Sequence, residues 1–180
     1  FMEEDVEVTH IHNPSFFYVQ RKIDCDKLKK LFRMINTKPK KKLPQNLIPS
    51  VGMVYLGQFT HDSNWYRALV TSVKPDACEV LVHYIDYGNN ELLKISQLRE
   101  CPTEYHLENV PAFALPCGLW EIKPSRGEIW DTEAVKVFAE LITNVTLQLF
   151  IMEYEKGNNS IKCNVELRRP WKTSGITNDL

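Results

Sequence analysis

The residues best suited to chemistry crowd into two short runs. One is Gln58-Phe59-Thr60-His61-Asp62-Ser63-Asn64-Trp65-Tyr66-Arg67-Ala68, the other Val82-His83-Tyr84-Ile85-Asp86-Tyr87-Gly88-Asn89. Phe59 ends one candidate strand, Tyr66 begins the next, and Tyr84 and Tyr87 lie at the close of a third. Strict two-residue alternation would send Tyr84 and Tyr87 to opposite faces. Gly88, within Asp-Tyr-Gly-Asn, signals a bend able to bring both rings to one hollow. Four rings around a water-open hollow make a poor core but a good cation site. A guanidinium or quaternary cation over a ring face gains ~0.5–2 kcal/mol per contact. Methylation of arginine keeps the charge and removes N–H donors, so the group becomes larger, less hydrated and easier to place between rings. The side-chain oxygen of Asn89 could accept a bond from a remaining guanidinium N–H. Ring faces plus a neutral acceptor favour methylarginine over lysine, whose compact ammonium is strongly hydrated. Arg67 and Asp86 read as a structural ion pair inside the same unit, and Trp65 as core or junction.

Other chemistries are less well supplied. A metal-dependent phosphodiesterase needs clustered carboxylates. Asp131, Glu133, Glu153 and Glu155 are available but no motif groups them. The five histidines (His10, His12, His61, His83, His106) show no metal-ligand spacing. The cysteines, Cys25, Cys78, Cys101, Cys117 and Cys163, are odd in number and lack a CxxC pair, so reduced core thiols are expected. No metal, cofactor or catalysis is expected. Net charge is only −1, yet Arg21 to Lys42 holds ten basic residues against two acids. Two readings stay open there: a solvated helix face with a polar loop, or a phosphate-contacting patch for RNA through Lys38, Lys40, Lys41 and Lys42.

The elements that must position the aromatic set follow from pattern. Hydrophobic residues at 43% allow a core without disulfides. Val6 to Ile11 and Phe16 to Arg21 read as a hairpin around Asn13-Pro14-Ser15. Asp24 can cap a helix whose apolar residues are Leu28, Leu31, Phe32 and Ile35, running to about Asn36. Thr37 to Pro49, with three prolines and four lysines, is a linker. Val51 to Leu98 reads as a compact all-β unit with strands at 53–59, 65–73, 79–85 and 90–94, then a helical turn over 95–98. After an irregular stretch come a strand at 114–122 and a helix capped by Asp131 with Ala134, Val137, Phe138, Leu141 and Ile142 on its apolar face. A final hairpin pairs 145–154 with 160–167 around a turn at 156–159. Trp120, Trp130 and Phe138 are expected in the outer core. The fold class is therefore mainly β with α, a small barrel inserted into a split outer unit and joined to it by a helical linker. No apolar run could span a bilayer and no signal-peptide pattern opens the chain. Cytoplasm or nucleus is expected, and both ends read as cuts from a longer protein.

Trp-Tyr-Arg-Ala followed by Tyr-Ile-Asp-Tyr-Gly-Asn resembles the Tudor domain of the extended Tudor class, found in germline Tudor-domain proteins and the staphylococcal-nuclease–Tudor protein. The resemblance covers about residues 6–170. It implies a Tudor barrel over 51–100 inserted into a nuclease-like OB fold made of 1–50 and 101–180. It also implies a methylarginine cage of Phe59, Tyr66, Tyr84, Tyr87 and Asn89. The implied partner is a symmetrically dimethylated Arg-Gly or Arg-Ala motif of a PIWI protein, in the piRNA pathway and in cytoplasmic, perinuclear germ granules (nuage). A monomer with no membrane contact is expected. A scaffold indifferent to methylation is the remaining alternative.

Overall fold

The computed structural model describes residues 3–156 and 161–170. Two sheets carry the chain. The outer one is a closed barrel in the order β1-β2-β8-β10-β9, built from β1 (Glu3–Asn13), β2 (Phe16–Arg21), β8 (Leu115–Leu119), β9 (Thr146–Lys156) and β10 (Ile161–Arg168). Only β8 and β10 run parallel, with Cys117 opposite Cys163. Its core joins Val6, Phe17, Val19, Leu147, Leu149 and Val165, and helix α2 (Thr132–Ile142) adds Phe138 and Ile142. The Phe17 and Phe138 rings meet edge to face at 5.4 Å. The inner sheet is barrel-like, in the order β6-β5-β4-β3-β7, from β3 (Val54–Gln58), β4 (Trp65–Lys74), β5 (Glu79–Tyr84), β6 (Asn90–Lys94) and β7 (Leu98–Arg99). It is inserted between β2 and β8 of the outer barrel, so the expected class of fold holds.

Helix α1 (Cys25–Thr37) joins the two units. It buries Leu31 and Ile35 against Leu56 and Tyr105, with Trp65 packed on the same cluster. Trp65 is thus a junction residue. Leu28 and Phe32, also expected on the apolar face, are only half-buried.

Several local expectations are corrected. Asp24 does not cap α1. The chain enters the helix from a 3-10 turn (Lys22–Asp24) with Asp24 already at φ −96°, ψ −1°. Its carboxylate instead accepts from Arg21 Nε (2.7 Å) and Lys27 Nζ (2.9 Å). Asp131 does cap α2, accepting from Ala134 N at 2.7 Å. Val137 and Leu141 are exposed, because the contact stripe of α2 is the narrower Ala134-Phe138-Ile142 row. Trp120 and Trp130 are half-buried, and the Trp130 indole N–H donates to Ser15 Oγ at 2.9 Å. Cys78 is exposed while Cys117 and Cys163 are buried, and all five thiols are free. Part of the turn expected over 156–159, Ser160, and everything from Trp171 onward lie outside the described residues.

Candidate functional site

The site begins with how β5 ends. Strand pairing stops at Tyr84, and Tyr87 N and Gly88 N both donate to Tyr84 O, at 3.0 and 2.8 Å. The bend expected at Gly88 is therefore a tight turn that starts at Ile85. It folds Tyr87 back beside Tyr84 and cancels the alternation that would have separated them. Asn89 O accepts from Tyr84 N at 2.9 Å and carries the chain into β6.

Phe59, Tyr66, Tyr84 and Tyr87 then surround one open hollow of about 370 Å³, with Asn89 at its side. The rings stand nearly perpendicular. Phe59–Tyr84 centroids are 5.4 Å apart at 79°, Tyr66–Tyr84 6.0 Å at 78°, Tyr66–Tyr87 5.2 Å at 84°, and Phe59–Tyr66 6.2 Å at 86°. Tyr84, at 2% exposure, belongs to the inner core and forms the floor, whereas the other three are half-buried walls. Hydroxyls lock two rings: Tyr66 donates to Asp62 Oδ2 (2.6 Å) and Tyr84 to Glu91 Oε2 (2.7 Å). Burial, followed by these carboxylates, raises both phenols well above their usual range; burial also raises Tyr87, to about 12. All three rings stay neutral at any physiological pH. The Asn89 side chain bonds nothing among the described residues.

Beneath the site, Arg67 (0% exposed) and Asp86 (3%) form the expected internal pair, Nε–Oδ2 2.9 Å and Nη2–Oδ1 2.5 Å. Arg67 also donates to the carbonyls of Tyr105 and Pro111, at 3.0 and 2.9 Å, and Asp86 accepts from Phe113 N. Asp86 sits in the turn between the two tyrosines, so this pair anchors the hollow from below.

Two further lining residues, Thr9 and His10, come from the outer barrel and were missed by sequence reasoning. Opposite Val19 and Tyr18, β1 carries an extra residue between Val8 and His10. This bulge re-aims side chains that alternation would send apart. Thr9 Oγ1 donates to Tyr87 O (2.7 Å) and Gln20 Nε2 to Asp86 O (2.5 Å), pegging the turn to the outer unit. No sequence signal announces a bulge of this kind. Gly88 is the third peg. At φ +95° a Cβ here would lie 2.3 Å from the Tyr18 ring. Gly88→Ala should therefore cost about 2–3 kcal/mol in a denaturant melt, from left-handed strain plus overpacking; a change under about 1 kcal/mol would mean that the turn can move off Tyr18.

His10 belongs to a cluster with His12, at 4.7 Å between rings, and with His83, which packs on Tyr18 at 5.2 Å. Burial lowers the pKa of His10, helped by the charges of His12 and His83; burial likewise lowers His83. The unfolded chain then binds protons that the fold resists. Stability should fall as pH drops below the ordinary histidine value and level off below the folded pKa. A protonated His10 would also repel a cation in the hollow, by about 1 kcal/mol or roughly fivefold in affinity. Titrating a cationic ligand as the pH is lowered through and below the ordinary histidine range should show that loss, and His10→Asn should remove most of it.

The lysines considered for phosphate contact lie along the linker. Lys38 pairs with Glu104 and Lys41 with Glu100, both at 2.9 Å. Lys40 lies over the Trp65 ring at 5.7 Å, and Lys42 pairs through its backbone with Arg99. Of the carboxylates considered for metal chemistry, Asp131 caps α2 and Glu155 pairs with Lys162 at 2.8 Å. Among the described residues no group of three His, Cys, Asp or Glu side chains could hold a metal. No described helix is long and apolar enough to cross a membrane.

A barrel-like sheet inserted into a closed five-stranded barrel, with an aromatic box on the inserted sheet, defines the extended Tudor architecture. The comparisons agree. The Tudor domain model matches residues 2–121, and the chain belongs to that family. It is 38% identical over 138 residues to mouse Tudor domain-containing protein 1, a match that covers 76% of this chain but only 11% of that protein. Among solved structures, the human TDRD1 extended Tudor domain in complex with a symmetrically dimethylated peptide is 31% identical, with a TM-score of 0.81 over 92% of this chain and 79% of its own. The extended Tudor domain TD3 of mouse TDRD1, in complex with a MILI peptide containing dimethylarginine, is 28% identical with a TM-score of 0.80, over 92% and 82%.

Proposed function

We propose that this chain is a non-catalytic reader of symmetrically dimethylated arginine in Arg-Gly or Arg-Ala motifs. The observation that carries this reading is the box itself: Phe59, Tyr66, Tyr84 and Tyr87 near right angles around one hollow, with the Asn89 amide unspent beside it. A planar, methylated guanidinium can meet several ring faces at once there, each contact contributing ~0.5–2 kcal/mol. Asn89 would accept from a remaining N–H. Asp62 and Glu91 add negative potential behind the rings without entering the hollow, since both are held by tyrosine hydroxyls.

The partner we propose is the arginine-methylated tail of a PIWI protein, in the piRNA pathway and in cytoplasmic germ granules. The complexes of similar domains with dimethylated peptides, one of them from MILI, support a methylated peptide as the class of ligand. Calorimetry with one Arg-Gly peptide, unmethylated, asymmetrically dimethylated and symmetrically dimethylated, tests the reading. We expect the symmetric form to bind about tenfold more tightly than the unmethylated one. Equal affinities would favour a scaffold that ignores methylation.

A further inference from the structure

Tyr66 and Tyr87 border a second hollow. It holds about 460 Å³ and shares with the cage only these two rings. Leu28 and Phe32 of α1 line it beside the tyrosines, and Lys29 and Arg33 stand among its lining. The Phe32 ring packs against Tyr66 at 5.5 Å, tilted by 37°. This explains why Leu28 and Phe32 leave the junction core: they face the tyrosines instead.

Half of the basic segment is neutralised by ion pairs, and the two cations at this hollow belong to the other half, with Lys30, Lys40 and Lys42, which meet no acid among the described residues. Arg21, Lys22, Lys27, Lys38 and Lys41 each meet an acid. Lys29 and Arg33, exposed and one helical turn apart, pair with no acid among the described residues, and Arg33 Nε bonds only the Lys29 carbonyl, at 3.4 Å. Behind the rings of the first hollow stand Asp62 and Glu91, held by the Tyr66 and Tyr84 hydroxyls. A ligand crossing from one hollow to the other would pass from a negative to a positive environment.

We propose that the α1 hollow is a second subsite for the same peptide, which takes an acidic side chain close in sequence to the methylarginine. The proposal rests on the methylarginine reading. Arg and Lys donors at the edge of an apolar floor suit a carboxylate on a short aliphatic stem. An extended peptide advances about 3.3 Å per residue, so an acid about two to four positions from the methylarginine would reach across one ring.

The test is a set of symmetrically dimethylated peptides with Glu, Gln or Lys placed two, three or four residues to either side, each with its unmethylated counterpart. These are titrated against the native chain and K29E/R33E by fluorescence anisotropy, with a single-stranded RNA oligonucleotide as a parallel ligand. Both substituted positions are exposed, and a melting curve checks that the variant folds. Glu at one position should improve affinity about fivefold over Gln, with Lys worse than Gln. K29E/R33E should reverse that order while leaving the methylation preference of the Gln peptides unchanged. Equal affinities with the methylation preference intact would overturn the subsite alone. A Glu advantage alike at every position, or one that survives charge reversal, would show diffuse steering and also overturn it. Charge reversal that abolishes RNA binding but leaves the peptides untouched would assign the two cations to nucleic acid instead. Loss of methylation preference in every peptide would remove the cage reading and the subsite with it.

Discussion

Asp86→Asn should destabilise the chain by about 3–5 kcal/mol, because it leaves the Arg67 guanidinium buried without a counter-charge. The shape of the side chain is nearly kept and Phe113 N can still be bonded, so the loss would report charge rather than packing. Arg67 would retain the carbonyls of Tyr105 and Pro111, which cannot neutralise it. Denaturant melts read this directly as a lower midpoint at unchanged slope. The effect should reach the site as well. Asp86 lies in the turn that folds Tyr87 toward Tyr84, so ligand affinity should fall even where the variant remains folded. A cost under about 1 kcal/mol for Asp86→Asn would show that water or a rearranged loop reaches Arg67.

Asn89→Ala should lower affinity for a symmetrically dimethylated peptide by roughly tenfold to a hundredfold, the usual worth of a hydrogen bond to a charged group. Its effect on stability should be small, since the side chain is half-buried and makes no bond within the described protein. Tyr87→Leu keeps apolar volume but removes a ring face, and should cost about tenfold. Tyr84→Ala is a poor test of binding: at 2% exposure the ring belongs to the core, and its removal should cost about 3–5 kcal/mol of folding stability as well. Isothermal titration beside thermal melts separates the two effects. Unchanged affinity in Asn89→Ala would rule out the amide as the acceptor.

What can be read from the chain follows from how local its cause is. β2 is found residue for residue at Phe16–Arg21, because a turn signal precedes it and the chain leaves the sheet at Lys22. The convergence of Phe59, Tyr66, Tyr84, Tyr87 and Asn89 on one hollow is legible because they lie in two short runs whose glycine marks a bend. Thr9 and His10 are not, since their placement depends on a bulge set by the pairing of β1 with β2. The helical turn expected over 95–98 is a 3-10 turn at Ile95–Gln97, and only Leu98 departs from it, joining Arg99 in β7 by pairing with Gly57 and Leu56. The charge asymmetry of residues 21–42 is visible in the sequence, but its neutralisation is not. Glu100 and Glu104 come back to Lys41 and Lys38 from far along the chain, and a sum over a segment cannot register that. The exposure of Val137 and Leu141 is hidden for a similar reason: periodicity shows which side of a helix is apolar but not how wide a strip its partner covers.

The most direct measurement is a nuclear magnetic resonance titration of the labelled chain with free symmetric dimethylarginine, which carries no peptide to bind elsewhere. The ligand methyl protons should move upfield under the ring currents of Phe59, Tyr66, Tyr84 and Tyr87, the Asn89 side-chain amide should shift in step, and free arginine at the same concentration should do far less. Methyl signals that stay at their solution positions, with the Asn89 amide unmoved while intact methylated peptides still bind, would show that the peptides are held at another surface.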